Sequence, residues 1–280
     1  MAVDIPDWFI KQYEADVFVA YQRTMSMLAP YVRKGTVVGQ TVNVPKYGTG
    51  EAGQKDRHGY VPVMNVDHGT VEFNVEDWYA GEWVDKLDLL KTNRDERANA
   101  ANAGAYALAR KKDKLIITAL RASLGSGQKI TDAGGMTYAK LMKGFELLDG
   151  ADVPDDGDRV CTLGPHQWSE LSKLEQFSSV DWVNSKTAEG GRYQTRRWNG
   201  CTFINTQSLL TEFKASAIRP CLMFHKSAIA WGDGADVSAD ITWHGDRAAW
   251  FINHMMSGGA KRIEDLGVVE ISADDTSTIS

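Results

Sequence analysis

The chain has 280 residues, enough for one large domain or two modest ones. It contains 43% apolar and 24% charged residues, as an ordinary folded protein does, and its net charge of −6 (31 basic and 37 acidic residues) argues against non-specific binding to nucleic acid. No apolar run approaches the ~20 residues of a membrane span, and Met1–Pro6 lacks the features of a signal peptide, so we predict no association with a membrane.

The three cysteines, Cys161, Cys201 and Cys221, are widely spaced and form no C-x-x-C pattern. Disulfide frameworks in secreted domains use an even number of cysteines, and zinc sites use cysteine pairs at short spacing. We therefore predict that these residues are reduced and mostly buried, as in a cytosolic protein.

The chain begins with a segment that we interpret as an arm, helical in part as far as Pro30. Trp8, Phe9 and Tyr13 recur there at helical spacing. Side chains this large need a surface that buries them, on the body of the same subunit or on a neighbouring one. We take these three aromatic residues as candidate intersubunit contacts.

A long hairpin follows the arm. Val37–Pro45 alternates in a way that predicts a strand closed by its proline, and residues 70–75 alternate in the same way and predict a second strand. Between them, Lys46–Tyr60 is rich in glycine and charge and offers few apolar side chains. A polar hairpin tip of this length is usually functional or forms an interaction element.

We expect this tip to be disordered in an isolated subunit and ordered by contacts with an adjacent one. Each residue that becomes ordered costs about 1–2 kcal/mol of conformational entropy, and the segment has few apolar groups to offset that cost. The candidate contacts are the charged residues Glu51, Lys55, Asp56 and Arg57. Arg57 is the first choice, because its planar guanidinium can hold a carboxylate with two hydrogen bonds.

Residues 92–124 predict one long helix, which we term the spine helix. Asn93 suits its start and Gly125 its end, no proline interrupts it, and its predicted length is roughly 45–50 Å. One face carries small side chains that let another backbone approach closely, and the later part carries a bulkier apolar stripe. The small face comprises Ala98, Ala101, Ala105 and Leu108, and the stripe comprises Leu115, Ile116, Ala119, Leu120 and Leu124.

The remaining chain predicts two helices and several short strands. The predicted helices are 137–148 and 165–174, and the predicted strands are 159–163, 201–204, 221–224, 228–231, 248–256 and 268–271. Because helices and strands do not alternate regularly, the pattern indicates an α+β fold.

The sequence contains no P-loop, dinucleotide fingerprint or nucleophile elbow, and we predict neither an enzyme nor a cofactor site. His225, His244, Asp246 and His254 are 19, 2 and 8 residues apart, which matches no standard set of metal ligands. We interpret the histidines as scattered surface residues and predict no metal site. The alternative to this interpretation is a metal-dependent enzyme.

The order of these parts, together with specific residues in them, resembles the major capsid proteins of tailed bacteriophages, which have the Hong Kong-97-type fold. The motifs that carry the resemblance are short and degenerate, so its specificity lies in their order, and it covers nearly the whole chain. They are Gly39–Pro45 for the extended loop, Asn93–Arg97 and Ala107–Leu120 for the spine helix, Gly191–Tyr193 and Trp198–Ile204 before the peripheral strands, and Phe224–Gly232, Gly259–Arg262 and Gly267–Val269 for the return strands.

The resemblance implies an L-shaped α+β subunit with five segments. They are an N-terminal arm (1–35), an extended hairpin loop (36–88), a peripheral domain with the spine helix (89–130), an axial domain around the five- and six-fold axes (131–245), and strands that return to the peripheral domain (246–280).

The resemblance also implies a structural function. Copies of the chain would form the pentamers and hexamers of an icosahedral head shell, assembled in the host cytoplasm, that encloses double-stranded DNA without binding it specifically. The implied partners are further copies of the chain, a separate scaffolding protein, a portal and, as a further candidate, a decoration protein. Encapsulin nanocompartments share the fold and are the nearest alternative.

Some relatives link a hairpin lysine covalently to an asparagine of the next subunit. Lys46 and Lys55 lie in the hairpin, but neither a partner asparagine nor a catalytic acid can be assigned. We therefore predict non-covalent assembly.

Overall fold

The computed structural model describes residues 25–87, 96–174, 177, 195–209 and 218–276. The helices in these ranges are α1 (Glu96–Arg121), α2 (Tyr138–Gly150) and α3 (Pro165–Lys173). The strands are β1 (Arg33–Gly35), β2 (Val37–Val38), β3 (Thr41–Tyr47), β4 (His68–Asn74), β5 (Glu76–Asp85), β6 (Lys129–Ile130), β7 (Arg159–Leu163), β8 (Thr195–Trp198), β9 (Cys201–Asn205), β10 (Ile218–His225), β11 (Ile229–His244), β12 (Ala249–Arg262) and β13 (Val268–Asp274). This arrangement confirms the predicted α+β class. No helix in the described ranges has both the length and the apolar character needed to cross a membrane.

A six-stranded sheet forms the middle of a three-layer structure, with strand order β6-β13-β10-β7-β9-β8. Successive side chains of β10 point to opposite faces, so Met223 packs with α2 and α3 while Leu222 and Phe224 pack with α1. Both faces are therefore covered. This explains why every residue of β7 is buried, although not all of its residues are apolar.

A second sheet contains four strands in the order β1-β11-β12-β5. The first half of α1 lies across β12 and β5, where Ala100 packs against Val84 and Ile252. The chain passes from the six-stranded sheet to this sheet through the short 3-10 turn Lys226–Ala228, and it returns between β12 and β13. The spine helix α1 is thus the element that both sheets share.

The bulky stripe predicted on the spine helix is confirmed. Ile116, Leu120 and Leu124 are buried in one cluster that also contains Phe224 of the six-stranded sheet and Trp231 of the four-stranded sheet. Each fully buried aliphatic side chain of this kind contributes roughly 1.5–3 kcal/mol. The cluster therefore fixes the position of each sheet relative to the helix.

The predicted C-terminal end of the spine helix is wrong by three residues. The helix ends at Arg121, and Ser123 has a left-handed φ of 53°, which a continuing helix does not allow. Arg262 donates hydrogen bonds to the carbonyl oxygens of Leu120 (2.7 Å) and Ser123 (3.2 Å) and so satisfies the open end. The described part of the helix has 26 residues and is about 39 Å long. The predicted start at Asn93 lies outside the described residues.

The hairpin is present, but its first strand is not continuous as predicted. Gly39 has a φ of 66° and makes a turn that separates β2 from β3, and Val42 then pairs with both Val37 and Phe73. Pro45 lies inside β3 and does not close it. At that point β3 has a hydrogen-bonded neighbour on one side only. A strand edge of this kind tolerates a residue without an N–H group.

Two strands pair with strands from other predicted segments of the chain. Residues 76–85, part of the predicted hairpin segment 36–88, form β5 and pair with β12 in the four-stranded sheet. Residues 268–274, predicted to return to the peripheral domain, pair with β10 in the six-stranded sheet. The predicted boundary at residue 245 falls in the turn between β11 and β12. The division into domains stays a prediction.

A side chain of β12 closely approaches the backbone of the spine helix at Gly104. A Cβ atom at this position would lie 2.2 Å from Nδ1 of His254, a buried residue of β12. The absence of a side chain therefore allows the helix to lie directly on the imidazole ring.

We predict that Gly104→Ala destabilises the protein. Alanine is favoured over glycine in a helix interior by about 1 kcal/mol, but the methyl group has to displace a buried ring, which costs roughly 1–3 kcal/mol. Chemical denaturation would measure the difference. Gly150→Ala is the control, because Gly150 is helical and has open space around its Cβ position. An equal gain in stability for both variants would contradict the close contact.

Candidate intersubunit contact surface

The base of the hairpin is fixed to the four-stranded sheet by apolar packing. Val42, Val44, Phe73 and Val75 are buried together with Ala230 of β11. Cβ atoms at Gly232 and Gly259 would lie 2.5 Å from the Val42 side chain and 2.6 Å from the Asn74 carbonyl oxygen, so both sites need glycine. The hairpin therefore leaves the sheet in a defined direction.

Two lysines add polar contacts at the base. Lys46 Nζ lies 2.5 Å from Glu264 Oε2, and Lys261 Nζ donates to the Glu72 carbonyl oxygen at 2.9 Å. Both groups of the Lys46 pair are partly exposed, so this ion pair adds at most about 1 kcal/mol to stability. Its main effect is to hold Lys46 against its own chain.

Beyond the base, the tip of the hairpin extends from Thr49 to Val66. The last cross-strand bond is the one from the Gly48 N–H to the Asp67 carbonyl oxygen, at 2.8 Å. The predicted contact residues Glu51, Lys55, Asp56 and Arg57 all lie in this tip and are exposed. Their side chains form no ion pair with the described part of the chain.

The tip also carries exposed apolar side chains that the sequence reading missed. Tyr60 is 100% exposed and Val63 85% exposed, and Val61 and Met64 lie beside them. The run from Tyr60 to Met64 directly follows the glycine-rich, charged stretch, and it was not predicted as a contact. The tip therefore offers both charged and apolar groups.

Two of the tip glycines have a role besides flexibility. A Cβ at Gly50 would lie 2.5 Å from the Met64 side chain, and one at Gly53 would lie 2.8 Å from Pro62. These glycines let the two limbs of the tip approach each other. The expected disorder of the tip in a free subunit stays a prediction.

The arm is attached to the spine helix by a buried carboxylate. Asp113 of α1 is 2% exposed and accepts hydrogen bonds from the Ser26 hydroxyl (2.5 Å), the Leu28 N–H (3.1 Å) and the Met27 N–H (3.2 Å). The carboxylate thereby fixes where the arm meets the body of the subunit. The predicted contact residues of the arm, Trp8, Phe9 and Tyr13, lie outside the described residues.

We predict that Asp113→Ala lowers the free energy of unfolding by about 2–4 kcal/mol. The variant leaves two backbone N–H groups without their acceptor, and a hydrogen bond to a charged group contributes roughly 1.5–3 kcal/mol. Denaturant unfolding would measure the loss. Asp132→Ala is the control, because the Asp132 carboxylate is exposed and lies 3.8 Å from the exposed Lys143, and it should lower the free energy of unfolding by no more than about 1 kcal/mol. Equal effects of both changes would show that Asp113 does not hold the arm.

A second carboxylate joins the spine helix to β11 below the hairpin. Asp233 accepts hydrogen bonds from the Trp231 indole N–H and from Lys112 Nζ, the latter at 3.0 Å. Partial burial acts to raise the pKa of Asp233, but the two hydrogen bonds and the charge of Lys112 outweigh it, so the pKa is lowered. Lys112 also lies 4.7 Å from the centre of the Trp231 ring.

This lowered pKa predicts a pH dependence. Ionised Asp233 stabilises the fold above the pKa of an unfolded aspartate, about 4, and this contribution disappears as the pH falls through the folded-state pKa. The difference in unfolding free energy between the natural protein and Asp233→Asn should be constant above pH ~5 and shrink below pH ~4. A difference that is the same at pH 7 and pH 3 would contradict the role of the charge.

The interpretation of the histidines as surface residues is wrong for two of them. His254 is buried against α1, and His225 is buried with Nε2 3.0 Å from Asp156 Oδ1 and Nδ1 2.7 Å from the Ser227 hydroxyl. The hydrogen bond from His225 lowers the pKa of Asp156. Within the described residues, no three His, Cys, Asp or Glu side chains come together as metal ligands would.

Solved structures with the same architecture include phage capsids. A sequence model of a family described as phage capsid protein matches residues 5–275 of the chain. The chain is similar to the capsid of cyanophage Pam1, with 13% identity, a TM-score of 0.72, and 95% of this chain and 96% of that chain covered. It is also similar to the capsid of cyanophage P-SCSP1u (17% identity, TM-score 0.71, coverage 96% and 94%).

A third similar structure comes from Mycobacterium phage Che8, with 17% identity, a TM-score of 0.69 and coverage of 96% and 98%. No curated protein matches the chain in sequence. The likeness to these solved structures confirms the predicted Hong Kong-97-type fold.

Proposed function

The chain belongs to the phage capsid protein family and is a major capsid protein, and from this premise we propose that the hairpin tip is the contact through which neighbouring subunits complete each other in the shell. The family match over residues 5–275 is the observation from which the function is assigned. It gives no support to a metal-dependent enzyme or to an encapsulin.

The contrast between the base and the tip of the hairpin supports this proposal. The base is buried against Ala230 and fixed in direction, whereas the tip places Glu51, Lys55, Asp56 and Arg57 in solvent beside exposed apolar groups. A surface that combines apolar area with charges at its rim is typical of a protein–protein contact. Arg57 is the residue that we expect to bind a neighbour's carboxylate.

The arm is the second proposed contact. Asp113 holds residues 26–28 on the spine helix, so the preceding segment with Trp8, Phe9 and Tyr13 starts from a fixed point. We propose that these aromatic side chains are buried against an adjacent subunit. The division into arm, hairpin, peripheral and axial domains is part of the same proposal.

The proposed assembly consists of pentamers and hexamers in an icosahedral head, formed in the host cytoplasm with a separate scaffolding protein and a portal, and open to a decoration protein. The net charge of −6 suits a wall that encloses DNA without holding it. Lys46 is engaged with Glu264 of its own chain, which supports assembly without a covalent link from that lysine.

Shortening the hairpin tests the proposed contact. Residues 49–66 would be replaced by Asn-Gly, because Gly48 and Asp67 form the last cross-strand pair and a two-residue turn can join them. We expect a subunit with unchanged circular dichroism that forms no closed shells, as measured by light scattering and negative-stain microscopy under conditions in which the natural chain assembles.

Two point-variant sets separate the contributions within the tip. One replaces Glu51, Lys55, Asp56 and Arg57 by serine, and the other replaces Tyr60, Val61, Val63 and Met64 by serine. The proposal expects at least one set to block assembly while thermal stability is unchanged. Shells that form normally from the shortened chain would refute the proposed contact without affecting the assignment to the capsid family.

A further inference from the structure

In the part of the chain that the structure describes, the outer half of β11 is an open sheet edge. On one side β11 pairs with β12 along its length, but on the other side β1 pairs only with Ala230–Gly232. No strand in the described ranges pairs with that side from Asp233 onward, and every residue from Gly234 to Trp243 is exposed. An edge of this kind presents unpaired backbone N–H and C=O groups that a further strand can use.

Apolar side chains accompany this open edge. Val237 is 43% exposed, Ile241 47% and Trp243 40%. The Trp243 ring is held in place by the Trp250 ring, 5.2 Å away between centroids, and by Lys86, 5.7 Å from its centre. The edge therefore offers a preformed apolar surface next to free backbone groups, which is what binding by strand addition requires.

The charge of the edge selects the kind of partner. Residues 233–246 contain four aspartates and no lysine or arginine, and the nearby cations are Arg247, which follows in the turn, and Lys86, which lies over the Trp243 ring. Asp233 is paired with Lys112, which leaves Asp236, Asp240 and Asp246 along the edge and its turn. Two copies of this edge would bring like charges together, and DNA would be repelled, so a cationic strand is favoured over both.

We propose that the edge of β11 from Asp233 to His244 binds a lysine- or arginine-rich segment of another protein in extended conformation, as an additional strand of the four-stranded sheet. Backbone hydrogen bonds would hold the segment, its cationic side chains would face Asp236 and Asp240, and its apolar side chains would cover Ile241 and Trp243. This surface is separate from the hairpin tip, and the proposal does not depend on the tip.

A labelled peptide tests the proposal on the full-length chain, as free subunit and as shell. The probe is a fluorescein-labelled, acetylated octapeptide of alternating lysine and valine, and the control peptide replaces lysine by glutamate. We expect the lysine peptide to bind and the glutamate peptide not to bind, as measured by fluorescence anisotropy. Reversing two charges with Asp236→Lys and Asp240→Lys should weaken binding about tenfold or more.

Asp132→Lys makes the same kind of charge change far from the edge and should leave the affinity within about twofold. If the double reversal does not fold, as judged by circular dichroism, Asp236→Asn with Asp240→Asn replaces it and should weaken binding in the same direction. Hydrogen exchange separates strand addition from simple charge attraction, because only an added strand protects those amides between Gly234 and His244 that do not already bond to β12. No binding, an equal loss for Asp132→Lys, or binding without protection would each overturn the proposal.

Discussion

Burial of the second half of the spine helix is the interaction on which the other parts of this subunit depend. Ile116, Leu120 and Leu124 pack against side chains from both sheets in one cluster, and Arg121 adds an ion pair to Glu270 of β13, with 2.9 Å between Nε and Oε2. Because one rigid helix contacts both sheets, neither sheet shifts without disturbing the same apolar core. The positions of the hairpin base and of the arm attachment follow from this arrangement.

The subunit keeps the residues that stabilise it apart from those available to other molecules. Val42 and Phe73 hold the hairpin base to the sheet, whereas the tip beyond Gly48 has its charged and apolar groups in solvent. The same separation occurs in β11, which is buried as far as Gly232 and exposed from Gly234. We therefore expect substitutions in the buried halves to act on folding and those in the exposed halves to act on association.

Local patterns in the sequence were enough for elements whose partners are close or whose periodicity is clean, such as α2 with its Thr137 cap and the fully buried β7. They failed where distant residues decide the outcome. The spine helix ends early because Arg262 caps it, and β13 joins the six-stranded sheet through pairing that no local pattern encodes. β5 was missed because it carries adjacent apolar pairs, Trp78-Tyr79 among them, which obscure the alternation. The charged residues of the hairpin tip could be predicted as contacts from the sequence. Its apolar run could not, because the exposure of that run depends on the fold.

The three cysteines have a practical consequence for chemical labelling. Cys161, Cys201 and Cys221 are all free and buried, as predicted, and burial raises the pKa of the Cys221 thiol to about 12 and that of the other two thiols well above its ordinary value. Thiol reagents attack the exposed thiolate, so the native cysteines are protected from them. A single cysteine introduced in the exposed hairpin tip would then be the one reactive thiol of the subunit. A fluorophore or spin label attached there would report on the surroundings of the tip without removal of any native cysteine.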